Sequence, residues 1–275
     1  MEASPGPTQL GEGASANKLW ASPIATLPLW PVLLVSGILF FIIAPSVPVL
    51  AGHWRGIEIL AAPGVALVWW WLSARRRGFA VSDVLGQRPS RQHLSLILVS
   101  TLAALGLHFG WLSLLSALDF LPEVPAEGLP TFVTASRPIQ LASLVVVSPC
   151  AEEFLFRGLI FRRSLRWMRP IPAALWSSLL FGFGHFDPVG SGLFGLVMVG
   201  LYLRTGSLWV PIAAHSLNNA FLFCLLGREL SEQVDSALIW VIAALQLVCV
   251  PWVAWFLFRM LRELRELQGA GNVSG

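Results

Sequence analysis

The sequence predicts an all-α protein, a polytopic membrane helical bundle of about eight transmembrane helices, and three observations carry that expectation. Of its 275 residues 56% are hydrophobic and only 12% charged, with a mean hydropathy of +0.71, far outside the range of a soluble domain. The apolar residues gather into eight stretches, near 28–50, 56–74, 94–116, 139–161, 171–187, 190–204, 208–226 and 236–258, most of them close to the ~20 residues that cross a bilayer. Arginines, finally, cluster after every second stretch.

Residues 1–26, rich in Gly, Ser, Pro and Ala, lack the basic and apolar regions of a signal peptide and read as a disordered cytoplasmic tail. Residues 27–262 form one transmembrane domain, and 263–275 a short cytoplasmic tail. Span two ends in Trp69, Trp70 and Trp71, which have the amphipathic character of an interfacial anchor. Spans five and six are short and Gly-rich. The basic clusters are Arg75–Arg77 with Arg88 and Arg91, then Arg162, Arg163, Arg166 and Arg169, then Arg204, then Arg259, Arg262 and Arg265. All follow even-numbered spans, and basic loops stay on the cytoplasmic side, so both termini are expected there. Seventeen arginines to one lysine fit a GC-rich bacterial genome and hence a bacterial cytoplasmic membrane. The net charge of +3 is explained by this topology and implies no nucleic acid. Cys150, Cys224 and Cys249 lie in apolar segments without CxxC spacing, so neither a disulfide framework nor a thiolate metal site is indicated.

Strongly polar residues inside the spans are few: His108, Glu152, Glu153, Arg157, His185, His215, Asn218, Asn219 and Gln246. A charge there costs roughly 2.5 to 3.5 kcal/mol on insertion scales, so such residues are functional by default. Taken singly, His108 and Gln246 read as interhelical hydrogen bonds. Glu153 and Arg157, four apart, can neutralise each other, and that pair alone reads equally well as a structural clamp. Glu152 is rotated about 100° from Glu153 and has no helical partner. It suits a group that takes up and releases protons. His215 and Asn219 are also four apart and point the same way, with Asn218 as a weaker rival. At about 1.5 Å rise per residue, Glu152, His185 and His215 fall in one layer of the membrane.

"EEFLFR" (Glu152 to Arg157), "FGFGH" (Phe181 to His185) and "HSLNN" (His215 to Asn219) resemble, in order and spacing, the EExxxR, FxxxH and HxxxN motifs of the CAAX-prenyl endopeptidase family, also called CPBP intramembrane proteases. The resemblance covers residues 139–227, which would be the catalytic core. It implies a membrane endopeptidase that cuts near the C-terminal or membrane-proximal end of a protein or peptide substrate. Carried over, Glu152 is the general base and His185 helps hold the water. His215 and Asn219 stabilise the oxyanion, while Glu153, Arg157 and Phe181 support the site. Glu152, His185 and His215 could instead hold a catalytic zinc. The absence of HExxH favours the metal-free form, without cofactor.

Two other functions fit the polar residues less well. A proton-coupled transporter would also place Glu, His and Arg inside a bundle, but no internal repeat is evident. A non-catalytic scaffold or bacteriocin-immunity protein would not need all three motifs. The expected partners are the lipid bilayer and a membrane-anchored or C-terminally tailed protein.

Overall fold

The computed structural model describes residues 57–117, 137–185, 187–226 and 236–271. The expected tail 1–26 and first span 28–50 lie outside the described residues, as do the side chains of His108 and Gln246. Every described element is helical. In chain order they are α1 (Ile57–Arg76), α2 (Val81–Leu85), α3 (Arg91–Ala117), α4 (137–164), α5 (Pro170–Phe183), α6 (Pro188–Thr205), α7 (Trp209–Leu226) and α8 (Ser236–Gly271). Spans two to eight thus each meet a helix, displaced by a few residues at the ends. Among the described residues one of them, Pro188–Thr205, is by itself both long and apolar enough to cross a membrane. The last helix continues through 263–271, a stretch the sequence assigns to a tail.

The ends of these helices follow from their residues. Gly206, at φ +62°, closes α6 in the left-handed conformation that only glycine adopts cheaply, its N–H returning to the Tyr202 carbonyl. Asp187 opens α6 as an N-cap with Pro188 at the first helical position. Arg75 and Arg76 close α1 at its negative end.

α5 and α6 form a tight antiparallel pair. A Cβ on Gly182 would meet the Pro188 carbonyl oxygen at 2.3 Å and the Gly192 nitrogen at 3.1 Å, so only glycine lets these backbones approach. α3 packs against α6, α7 and α8, and α4 against α1, α5 and α7. One apolar cluster joins Trp70, Phe154, Phe161, Tyr202 and Met260; a second joins Ile97, Met198, Leu201, Val210 and Phe256.

Trp70 corrects the expectation of a tryptophan anchor. It is 1% exposed and lies against Phe154, ring centroids 4.6 Å apart. Consecutive residues on a helix diverge by about 100°, so three in a row cannot all face outward. Trp69 and Trp71 do face outward, and Arg75 sits over the Trp71 ring at 5.7 Å.

Among the described residues, large apolar side chains lie exposed on the outer faces of several helices. Val65, Val68, Trp69 and Leu72 on α1, Leu94, Leu98 and Leu102 on α3, and Leu175, Trp176, Leu179 and Phe183 on α5 are all exposed. Their spacing by three and four makes continuous stripes, the inverse of a helix that hides its apolar face in water.

The arginine clusters meet at one end of the bundle. The segment after α2 is pinned to the corner between α6 and α7: Leu208 N–H donates to the Leu85 carbonyl at 2.8 Å and Ser207 Oγ to that of Gln87 at 2.6 Å. Gly86, at φ +76°, presses so close that a Cβ there would lie 2.5 Å from the Gly206 oxygen. Arg162 at the end of α4 stacks on Tyr202 of α6 at 4.8 Å, and Arg204 reaches Glu263 of α8 at 3.7 Å.

Candidate active site

α4 carries both glutamates and is not a uniform helix. It runs as α over Arg137–Leu141, π over Ala142–Val147, α over Ser148–Glu153, π over Phe154–Phe161 and α again over Arg162–Ser164. π segments are wider, leave backbone groups for other partners and recur at functional sites. Here Ser177 of α5 donates to the Phe156 carbonyl at 2.8 Å, tying the second π segment to its neighbour. Sequence periodicity assumes 3.6 residues per turn throughout and misses this.

The α segment between the two π segments ends on Glu152 and Glu153, which diverge as expected. Glu153 turns inward. Its Oε1 accepts from Arg157 Nη1 at 2.9 Å, both side chains being 0% exposed, and also from His215 Nδ1 at 2.8 Å. Arg157 Nη2 donates to the Gly195 carbonyl at 3.0 Å. Its guanidinium lies 4.6 Å from the centre of the Phe181 ring.

Glu152 has a side chain 29% exposed, but its Oε2 is buried without a hydrogen-bond partner, 3.8 Å from His185 Nε2 and 3.8 Å from His215 Nε2. Neither separation is a hydrogen bond. The tautomers follow from the other ring nitrogens. His185 Nδ1 lies 2.7 Å from the Phe181 carbonyl oxygen, which can only accept, so Nδ1 carries a proton. His215 Nδ1 donates to Glu153 in the same way. Each neutral ring therefore presents its Nε2 lone pair towards the Glu152 carboxylate. Three acceptors facing one another across 3.8 Å suit a small proton donor between them.

Phe181 is the packing centre of the site. Its ring lies 4.4 Å from that of His185, 5.8 Å from that of His215 and 5.9 Å from Phe194. Phe194 in turn meets the His215 ring edge-on at 5.0 Å. Asn219 Nδ2 donates to the Leu144 carbonyl in the first π segment of α4 at 3.0 Å. Its second amide hydrogen is left for another acceptor. Asn218, buried, gives a long 3.4 Å contact to Asn219 Oδ1.

Glu152, Glu153, Arg157, Phe181, His185 and His215 are thus brought together, while Asn219 is held by the backbone of α4. The second partner of Glu153, the role of Phe194 and the Arg157 bond to Gly195 were not apparent from sequence. Each joins residues far apart in the chain and has no local spacing to betray it. A helix-start signal was legible at Asp187–Pro188, but not its link to the site. Cys150, Cys224 and Cys249 are free.

Residues 134–221, which contain Glu152, Glu153, Arg157, Phe181, His185, His215 and Asn219, match the family model described as type II CAAX prenyl endopeptidase Rce1-like. Over this segment the chain is similar to the CAAX-protease family. The chain is also similar to a Bacillus subtilis (strain 168) protein named "Putative membrane peptidase YdiL", 35% identical over 92 residues, which are 32% of this chain and 38% of that protein. The chain therefore spans about two fifths of the length of the curated relative it matches. No solved structure matches the chain.

Proposed function

We propose that this chain is an intramembrane endopeptidase that hydrolyses a peptide bond near the C-terminal or membrane-proximal end of a protein substrate, using water activated by Glu152. The observation that carries the reading is the convergence of two imidazole Nε2 atoms on one carboxylate oxygen, with both Nδ1 protons already committed elsewhere. A water seated there gives a proton towards Glu152 Oε2 and is oriented by His185. Its oxygen attacks the scissile carbonyl while its proton passes to Glu152. The second amide hydrogen of Asn219 meets the charge on the carbonyl oxygen, and His215 Nε2, which faces Glu152 as an acceptor, helps orient the water. When the C–N bond breaks, Glu152 returns the proton to the departing amine. Atoms and charge balance without a protein nucleophile.

Zinc deserves a direct comparison. A carboxylate and two imidazoles are zinc-type donors, and Glu153 behind His215 resembles the outer carboxylates that orient metal-bound histidines. The sequence, however, contains no HExxH. The metal-free form is the one we propose.

The outward apolar stripes, the membrane-length α6 and the likeness of the 134–221 segment to a membrane-peptidase family support reading this as a membrane protein. We read it as multi-pass, with the arginine-rich end in the cytoplasm of a bacterial cell. Its partners on this reading are the bilayer and a membrane-anchored or C-terminally tailed protein.

The test is cleavage of envelope-derived peptides by detergent-solubilised protein. Glu152→Gln keeps the shape of the side chain and is expected to lose 10² or more in rate, the typical order for a general base. Activity should survive exhaustive chelation. Near-normal cleavage by a folded Glu152→Gln protein would overturn the general-base role, and activity restored only by added metal would recast Glu152, His185 and His215 as ligands.

A further inference from the structure

We propose that Trp111 and Asp187, which belong to none of the three sequence motifs, are positioning residues that fix His185 opposite Glu152. The proposal rests on the peptidase reading for its consequence in turnover, but its structural basis is independent of it.

His185 stands just past the end of α5, where its N–H bonds back to the Gly182 carbonyl at 2.9 Å. Its side chain is 35% exposed and is tied only locally, to the carbonyl and ring of Phe181 four residues earlier. The chain must then reverse into α6 within a few residues. Asp187 fixes the far side of that turn. Its Oδ1 accepts from Gly190 N–H at 3.0 Å, its carbonyl accepts from Ser191 N–H at 3.0 Å, and Pro188 locks the first helical φ.

The same Oδ1 accepts from Trp111 Nε1 of α3 at 2.8 Å, across 76 residues of sequence. Asp187 is 8% exposed, so the accepting carboxyl of this bond is largely withdrawn from water. Gly190 shows how closely the parts are fitted. A Cβ there would lie 2.0 Å from Asp187 Oδ2 and 3.2 Å from Trp111 Cδ1. Trp111 thus holds the turn from outside the α5–α6 pair, and it is the turn that sets where the His185 ring stands.

Without the indole N–H the turn keeps its cap but loses its anchor to α3, and His185 can drift from Glu152. Shifts of about 1 Å cost up to 10²-fold in rate.

The experiment uses the full-length purified chain and reads two things. First, labelling of each histidine by diethylpyrocarbonate is followed by peptide mass spectrometry. Trp111→Phe and Asp187→Ala are expected to speed labelling of His185 about threefold or more, with His93 unchanged, while Asp187→Asn, which keeps the accepting oxygen, stays near the wild type. Second, Trp111→Phe should lower kcat about tenfold with KM little changed, and should lower it no further in a His185→Ala background. Unchanged labelling of His185 in folded Trp111→Phe and Asp187→Ala proteins would overturn the proposal. So would a loss of turnover that persists undiminished without the imidazole. A wild-type protein that cleaves no peptide would remove the peptidase reading, and the labelling result would still decide the role of Trp111.

Discussion

Glu153 Oε1 holds two donors at once, Arg157 Nη1 at 2.9 Å and His215 Nδ1 at 2.8 Å, in a region where neither the carboxylate nor the guanidinium touches solvent. Ion pairs of this kind add little net stability but are costly to break, because the remaining charge is buried alone at about 3 to 5 kcal/mol. Glu153→Gln and Arg157→Met should therefore each lower the melting temperature strongly, and the double variant should fall little below either. A double variant whose loss equals the sum of the single losses would show that the two do not act as a pair. The i,i+4 spacing made this pair legible in the sequence. The third member was not legible, since His215 arrives from another helix 62 residues away. What sequence spacing gave for the site was which side chains share a helical face; what it could not give was which faces meet.

At the level of helices, the apolar runs marked where α1 and α3–α8 lie because a run long enough to span a bilayer has few other structures open to it. The Gly-rich fifth and sixth runs were harder to delimit, and the reason is in their packing. Glycine erases the apolar signal where two backbones touch, as at Gly182 and Gly192. Gly182→Ala should cost about 1 to 3 kcal/mol, since the obstructing Pro188 oxygen is backbone and cannot turn aside. Gly64→Ala, with nothing within 4 Å of its new methyl, should be neutral or stabilise α1 by about 0.5 to 1 kcal/mol. Thermal melts of the two variants make the comparison, and equal stability for Gly182→Ala and wild type would mean that the α5–α6 contact is looser than the structure has it. The two π segments of α4 left no trace in the sequence, because their extra residue per turn is set by contacts such as Ser177 to the Phe156 carbonyl.

Across the whole molecule, the arginine-rich ends of α4, α6 and α8 and the segment after α2 are joined by close contacts: Ser207 to Gln87, Arg162 on Tyr202, Arg204 to Glu263. If that end lies in the cytoplasm, a cysteine at Ser90 should resist an impermeant thiol reagent in intact cells and react once the cells are opened, read in a background lacking the native cysteines. Labelling from outside would reverse the orientation. α8 adds something to this end. Its 36 residues make a rod about 54 Å long, well beyond the ~30 Å hydrocarbon thickness. Leu264 is still packed in the core of the bundle, whereas Arg265 and Glu266 are already exposed. The rod thus leaves the protein while still helical and firmly held behind. For electron microscopy of so small a membrane particle this is a practical asset: a rigid helical fusion in register with Gly271 would carry an alignment marker clear of the detergent belt, its direction fixed by the same packing that buries Leu264.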